Sequence, residues 1–347
     1  EPTIQQLFGT EFETIVKDDE QCTGLSNIPP ELAALYAAAI KQTTGRNLIW
    51  ITGENENSDI LKNDLKAWSV FLGDTDSKVH LYPLPWEDPY INNTVQPETA
   101  GEKSRLLADI KENKQKNNKD IAVITPLAAL SIQLERKKDK DELIRTLETN
   151  DLITPHEVKA ILLNLGYHEK KRVAEPGDFS FHGKIIDIFP AGFNYPYRVK
   201  FNADSNPDRI ESIKRFHPIS QISIEPVHSI EITTTVYFET TKSKNTDILF
   251  LTQLLDNYII VAAGFDSLRE EYKKLLANFE RMREHHKDKN QWLPVSQIFT
   301  FPLDSLKVCN LDSRATGDSE NTIKPEHRTF LTFPRQALSE LANQGNH

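Results

Sequence analysis

The sequence predicts an α/β fold in which a parallel-sheet domain is interrupted by a small α+β domain of mostly antiparallel strands. Three observations predict it. Over the first third of the chain, short apolar runs alternate with amphipathic helical stretches at the spacing of parallel βαβ units. The period then shortens to closely spaced β-forming segments punctuated by turn residues. After that the strand–helix alternation returns. A chain of 347 residues is long enough for two or three cores.

The first strand is expected at 48–51, where Leu48, Ile49, Trp50 and Ile51 form an apolar run ending before Gly53. Ser58 opens a helix with Ile60, Leu61, Leu65, Trp68 and Leu72 on one face, and Gly73 ends it. A second strand is expected at 79–82, before Pro83. A charged helix follows over 100–114 with Leu106, Leu107 and Ile110 turned inward, and then a third strand over 121–124, stopped by Thr125-Pro126. In the middle section a helix over 155–165 ends at Gly166, a residue suited to a left-handed cap. Pro176-Gly177-Asp178 reads as a turn. Strands are expected over 179–181, 185–189, 197–201 and 210–216, with a weaker one over 222–224. A strand over 258–263 restores the α/β pattern. Leu268, Tyr272, Leu275, Leu276, Phe279 and Met282 then recur at helical spacing, and 306–311 reads as a further strand. The polar stretch 312–325 reads as a flexible loop. The expected division is 1–131, 132–226 and 227–347.

Composition narrows the function. Charged residues make up 27% and hydrophobic residues 38%, an ordinary globular balance. No apolar run reaches membrane-spanning length and no signal-peptide pattern occurs, so a cytoplasmic location is expected. The chain begins at Glu1 rather than Met and is expected to be a fragment of something larger. Cys22 and Cys309 are far apart in sequence and neither lies in a CxxC, which gives no disulfide framework or zinc ribbon. A net charge of −10 argues against strong binding to a phosphate backbone. His285 and His286 are adjacent on a helix and point about 100° apart, so they do not chelate one metal together. No catalytic triad signature is visible, and no catalytic residue, cofactor or metal is expected. Lys137-Lys138-Asp139-Lys140 and Lys170-Lys171-Arg172 read as solvated basic runs, the second alternatively as part of a partner surface.

Several longer stretches carry a family resemblance. Gly166-Tyr167 is followed by EPGDFSFHG and IIDIFPAG, then by YPYRVKFNAD and RIESIKRFHPISQIS; LYPLPWEDPY lies upstream. These resemble the UvrB-homology module shared by UvrB excision-repair proteins and the N-terminal part of bacterial transcription-repair coupling factors, the Mfd family. The resemblance is strongest over 166–221 and extends from about residue 25 to about residue 333. It implies a P-loop or helicase-like parallel domain split in two by a small domain that docks UvrA. The phosphate loop is degenerate. Ser26-Asn27-Ile28-Pro29-Pro30-Glu31-Leu32-Ala33 stands where GxxxxGK[ST] would lie. Two prolines remove N–H donors, Glu31 repels a phosphate, and Pro29-Pro30 suits a helix start instead. Roughly ten residues separate Tyr90 from Gly101, too few for the DNA-threading hairpin of UvrB. Trp86 and Tyr90 therefore read as packing residues rather than base-stacking platforms.

The resemblance further implies a non-catalytic module that recruits UvrA and links stalled RNA polymerase to nucleotide excision repair. The parent protein would be an ATP-dependent DNA translocase, whose remaining part would mask the UvrA surface. The positions implied in docking are His168, Phe179, Phe181, His182, Asp187 and Phe189. His168 follows Gly166-Tyr167, and Ser180 and His182 stand where the family has arginine. An imidazole lacks the permanent bidentate fork of a guanidinium. Phe181 and Phe189 also fit the core, because alternation buries one face of a strand. Two alternatives stay open: a UvrB-like DNA-binding ATPase fragment, and an unrelated α/β enzyme.

Overall fold

The computed structural model describes residues 4–8, 12, 24–26, 28–54, 58–85, 87–90, 96–116, 120–132, 134–135, 144–202, 208–235, 248–286, 292–300 and 306–312. Cys22, Trp86, the 137–140 basic run and the 313–325 stretch lie outside them.

A parallel sheet of six strands draws on segments that precede and follow the middle section in sequence. Its strands are β1 (Gly24–Ser26), β2 (Asn47–Thr52), β3 (Lys78–Leu81), β4 (Ile121–Pro126), β15 (Tyr258–Ala263) and β16 (Val308–Asp312), in the order β1-β16-β15-β2-β4-β3. Every neighbouring pair is parallel. Helices cover both faces, which is why the central strands read as unbroken apolar runs. Alternate residues serve two separate cores. Ile49, Ile51, Ile121, Val123 and Ile260 face α4 (Pro97–Lys116) and α8 (Phe265–His285). Leu48, Trp50, Ala122, Ile124 and Val261 face α2 (Ala33–Thr44) and α3 (Ser58–Phe71). The short α1 (Ile4–Phe8) adds Phe8 against Tyr36 on the second side.

Two boundaries differ from the sequence pattern. The strand expected to stop before Thr125-Pro126 continues through Pro126 in register with Thr52. A proline is tolerated there because the ladder ends with it, and Thr125 Oγ1 donates to Tyr82 O at 2.9 Å. A short helix α5 (Leu127–Leu130) follows at once. The helix expected over 100–114 runs instead from Pro97 to Lys116.

The second sheet, also of six strands, lies between β4 and β15 in sequence. It comprises β7 (His168–Glu169), β8 (Asp178–His182), β9 (Ile185–Ile188), β10 (Tyr197–Asn202), β11 (Arg209–Phe216) and β12 (Ser223–Val227), ordered β12-β11-β10-β9-β8-β7. All its pairs are antiparallel except β7–β8. One face packs on α6 (Pro155–Asn164) and on a ladder of β6 (Ile144–Glu148) with β13 (Ser229–Thr233). The core between them holds Val158, Leu162, Phe179, Ile186, Val199, Ile213, Ile230 and Ile232. The sequence pattern gives no sign of the β6–β13 ladder, and β13 lies beyond residue 226. Local signals explain α6. Thr154 and Glu157 form a reciprocal capping box, and Pro155 starts the helix. Gly166 at φ 85 ends it, with Tyr167 N–H reaching Leu162 O at 2.9 Å in a Schellman closure. A second small pair, β5 (Leu134–Glu135) with β14 (Ile248–Leu249), and short helices α7 (Leu251–Leu254) and α9 (Val295–Ile298) complete the described elements.

The two sheets meet at the segment Pro190-Ala191-Gly192. Tyr167 Oη accepts from Ala191 N–H at 3.0 Å and donates to Thr233 O at 2.9 Å. Thr233 Oγ1 donates to Ala191 O at 2.8 Å. From the other side, Arg105 on α4 donates to Gly192 O at 3.2 Å and lies over the Phe193 ring at 4.4 Å. Gly101 allows this approach, since a Cβ there would sit 2.4 Å from the Ala191 carbonyl carbon. Beside the joint lies a cleft of about 770 Å³ lined by Lys62, Lys66, Lys78, His80, Asp109 and Arg145. Burial alone would raise the Asp109 pKa. Hydrogen bonds from His80 and Lys78, with their charges, outweigh burial and hold it below the usual carboxylate range.

Candidate partner-docking face

Register fixes what the second sheet presents on the side away from α6. Ser180, Asp187, Arg198 and Lys214 form one cross-strand row, and His182, Ile185, Lys200 and Ser212 the next. The row of Phe181, Ile186, Val199 and Ile213 lies between them in sequence and so points to the opposite, core side.

The six expected docking residues are therefore not one constellation. Phe179 is fully buried in the core, and its ring is closed to a partner. Phe181 also lies on the α6 side, half-buried, edge-on to His156 at 5.3 Å and with the Lys159 ammonium 5.1 Å from its ring. Phe189 is buried with Val173 and Phe216 in a small satellite core on the outer side. Each ring is held by alternation along its strand, which places an aromatic on whichever face is covered. Asp187 is largely buried, and both its oxygens are occupied. Arg198 Nε and Nη2 donate to them at 2.7 and 2.8 Å, and the guanidinium lies 4.9 Å from the Phe216 ring. His168 and His182 are both exposed. His168 pairs with Asp178 at one end of β8 and His182 is the last residue at the other, about 13 Å away along a strand of this length.

Arg198 and Phe216 were missed as parts of this face. The alternation in Tyr197-Arg198-Val199-Lys200 hints that Arg198 and Lys200 share a side, but only the register brings Arg198 to Asp187.

The other candidates resolve as follows. In the phosphate-loop position, β1 leads into a 3₁₀ turn Pro30–Leu32 and then α2. Pro29 and Pro30 have no N–H, and Leu32 N–H is engaged by Pro29 O at 2.9 Å. The carboxyl ends of the parallel strands hold Glu54, whose carboxyl burial pushes up to about 7; a hydrogen bond from the Ala128 backbone opposes this and Glu271 adds to it. Nearby Tyr272 Oη donates to Ser131 Oγ at 3.0 Å. Tyr90 is buried, edge-on to Trp292 at 6.2 Å. His285 Nδ1 lies 2.7 Å from Arg281 O, and His286 lies 3.6 Å from Asp88. Among the described residues, no three His, Cys, Asp or Glu side chains converge as a metal-binding set. Also among these, no helix is long and apolar enough to cross a membrane.

The antiparallel unit defines the class of module. Residues 145–238 match the family model of the UvrB interaction domain. Among curated proteins, the chain is 31% identical over 182 residues to the transcription-repair-coupling factor of Borreliella burgdorferi, covering 52% of this chain and 14% of that protein. It is 25% identical over 333 residues to that of Staphylococcus haemolyticus, covering 93% and 26%. With that of Bacillus subtilis it shares 25% identity over 211 residues, covering 60% and 16%. The chain thus spans between 14% and 26% of the length of these relatives. Together the matches support its recognition as an N-terminal module of the transcription-repair coupling factor kind.

Proposed function

We propose that this chain is a non-catalytic module that recruits UvrA and so couples stalled transcription to nucleotide excision repair. The observation that carries this reading is the UvrB interaction domain match over 145–238, on a sheet with one face covered by α6 and the β6–β13 ladder and the other covered only in part, by the Val173–Phe189–Phe216 cluster. His168, His182, Lys200 and Lys214 are exposed on or beside the open face, around the fixed Asp187–Arg198 pair. The parallel sheet serves as a helicase-like scaffold that has lost its phosphate loop, as Pro29 and Pro30 argue. The division into 1–131, 132–226 and 227–347 belongs to the same proposal, as does masking of the open face by other parts of a longer parent.

The test is the affinity of the chain for cognate UvrA by calorimetry or fluorescence anisotropy. We expect saturable one-site binding, strengthened by His168→Arg or His182→Arg, because each restores a permanent cation. No binding by the wild type would overturn the proposal. A saturable thermal shift with Mg-ATP would overturn its non-catalytic part in favour of a UvrB-like ATPase.

A further inference from the structure

Beyond the Asp187–Arg198 pair, two loops interlock on the same side of the sheet. The Arg172 guanidinium donates to the carbonyls of Ile219 and Pro218. Gln221 Nε2 donates to Val173 O at 3.2 Å and to Pro218 O at 2.6 Å. Val173 in turn packs on Phe189 and Phe216. The turn itself is closed by Gln221 N–H to His217 O at 2.8 Å and by His217 N–H to Ile222 O at 3.0 Å. Gln221 takes φ 61, a conformation a non-glycine residue adopts only when its surroundings impose it.

This pinned turn displays apolar side chains. Ile219 is 78% exposed and Ile222 68%, and Ile224 on the adjoining strand β12 is 47% exposed. Turns ordinarily carry Gly, Asn, Asp, Ser or Pro, and β-branched residues gain nothing there by local propensity. Cations rim the patch. Lys170, Lys171 and Lys214 are exposed, and among the described residues none has an acid within ion-pair reach. Of the neighbouring acids, Glu169 pairs with Lys159 at 2.9 Å and Glu225 with Arg215 at 3.0 Å, while Glu175 is exposed on the same loop.

We infer that the 170–173 and 217–222 loops form a preorganised anchor that seats Ile219 and Ile222 in an apolar groove with an acidic rim on the docking partner. This rests on the UvrA-recruiting reading and adds a second contact to it. The hydrogen-bonded turn lowers the ordering cost of binding, and the exposed isoleucines supply the apolar area. The lysine rim selects the occupant. A second copy of this chain would bring the same cations face to face, whereas an acid-rimmed groove complements them.

The test measures the affinity of cognate UvrA for four proteins: wild type, Ile219→Ser/Ile222→Ser, Lys170→Glu/Lys171→Glu, and His182→Arg. These side chains are exposed, so melting temperatures should agree among all four. The isoleucine pair should weaken binding by about 30-fold or more, from the loss of two buried aliphatic side chains. The lysine pair should weaken it about 10-fold and flatten its salt dependence. If wild type binds, His182→Arg alters the affinity and both anchor variants bind within about two-fold of wild type, the anchor is wrong and the docking reading stands. If wild type does not bind, both fall. Concentration-dependent dimers in sedimentation, abolished by Ile219→Ser/Ile222→Ser, would replace the anchor with self-association.

Discussion

Replacing Gly101 by alanine should loosen the joint between the two sheets. In a helix interior the exchange ordinarily stabilises by about 1 kcal/mol, because glycine loses more backbone entropy on folding. Here the new Cβ would lie 2.4 Å from Ala191 C, 2.6 Å from Ala191 O and 2.7 Å from Gly192 N. These are backbone atoms, and no side-chain rotation clears them. Carbon atoms rest about 3.5–4.0 Å apart, so α4 and the Ala191 segment must separate by about 1 Å. Overpacking of this kind costs about 1–3 kcal/mol. The shift also stretches the Arg105–Gly192 hydrogen bond and the Arg105–Phe193 contact, adding about 0.5–1.5 kcal/mol. Setting these against the helix gain leaves a net loss of about 0.5–3.5 kcal/mol. The assay is a urea titration together with amide exchange at Ala191 and Arg105. A lower midpoint and faster exchange at Ala191 are expected. A variant as stable as wild type, or more stable, with unchanged exchange would refute the close approach.

Tyr167→Phe removes the hydroxyl shared by Ala191 N–H and Thr233 O, leaving two buried backbone groups unpaired; urea unfolding should show a loss of about 2–3 kcal/mol, and less than about 0.5 kcal/mol would contradict the arrangement. Glu54→Gln should stabilise at high pH. The folded-state pKa of Glu54 is raised to about 7 from 4.5, so the fold holds a proton the unfolded chain lacks between these values, and wild-type stability falls as pH rises through that window. The variant should gain roughly 1–3 kcal/mol above pH 7 and lose this advantage below pH 4.5, and parallel pH–stability curves would exclude the buried carboxyl. Asp187→Ala strips the bidentate partner from Arg198 and should lower the melting temperature by several degrees, through a loss of about 1–3 kcal/mol; an unchanged melting curve would mean that the pair contributes nothing.

Most of the architecture was legible because its signals are local. Leu48-Ile49-Trp50-Ile51 reads as a doubly covered strand, and the helix ending at Gly166 carries its start and stop in Thr154, Glu157 and the glycine. The β6–β13 ladder was not legible. Ile144–Glu148 and Ser229–Thr233 are five-residue pieces separated by the whole second sheet, and neither carries a hairpin turn to announce its partner. The face presented by each aromatic was half legible. Alternation says that Phe179 and Phe181 share a side, and only cross-strand register says that this side is the core while Asp187 and His182 face outward. The Asp187–Arg198 pair, eleven residues apart, exists only through that register. The sequence marks a strand over 222–224, realised as β12 (Ser223–Val227), and gives no sign that Ile219 and Ile222 stand on the turn before it. It takes the hydrogen bonds of Arg172 and Gln221 to show them as a displayed turn.

The β6–β13 ladder has a mechanical consequence. Ile144 and Thr233 are register partners, so the chain enters and leaves the antiparallel unit, of which this ladder is the outer layer, at neighbouring points about 5 Å apart. Tension applied between the flanking segments bears first on the bonds that tie Thr234 and Thr235 to Leu165 O and Thr233 to Tyr167 and Ala191, and then on the first rung. The ladder then opens like a zipper, one of its five residue pairs at a time, rather than shearing as a block. Force carried along the backbone would part this clasp first. The six-stranded unit beyond it would stay intact, tethered by a longer and slacker leash.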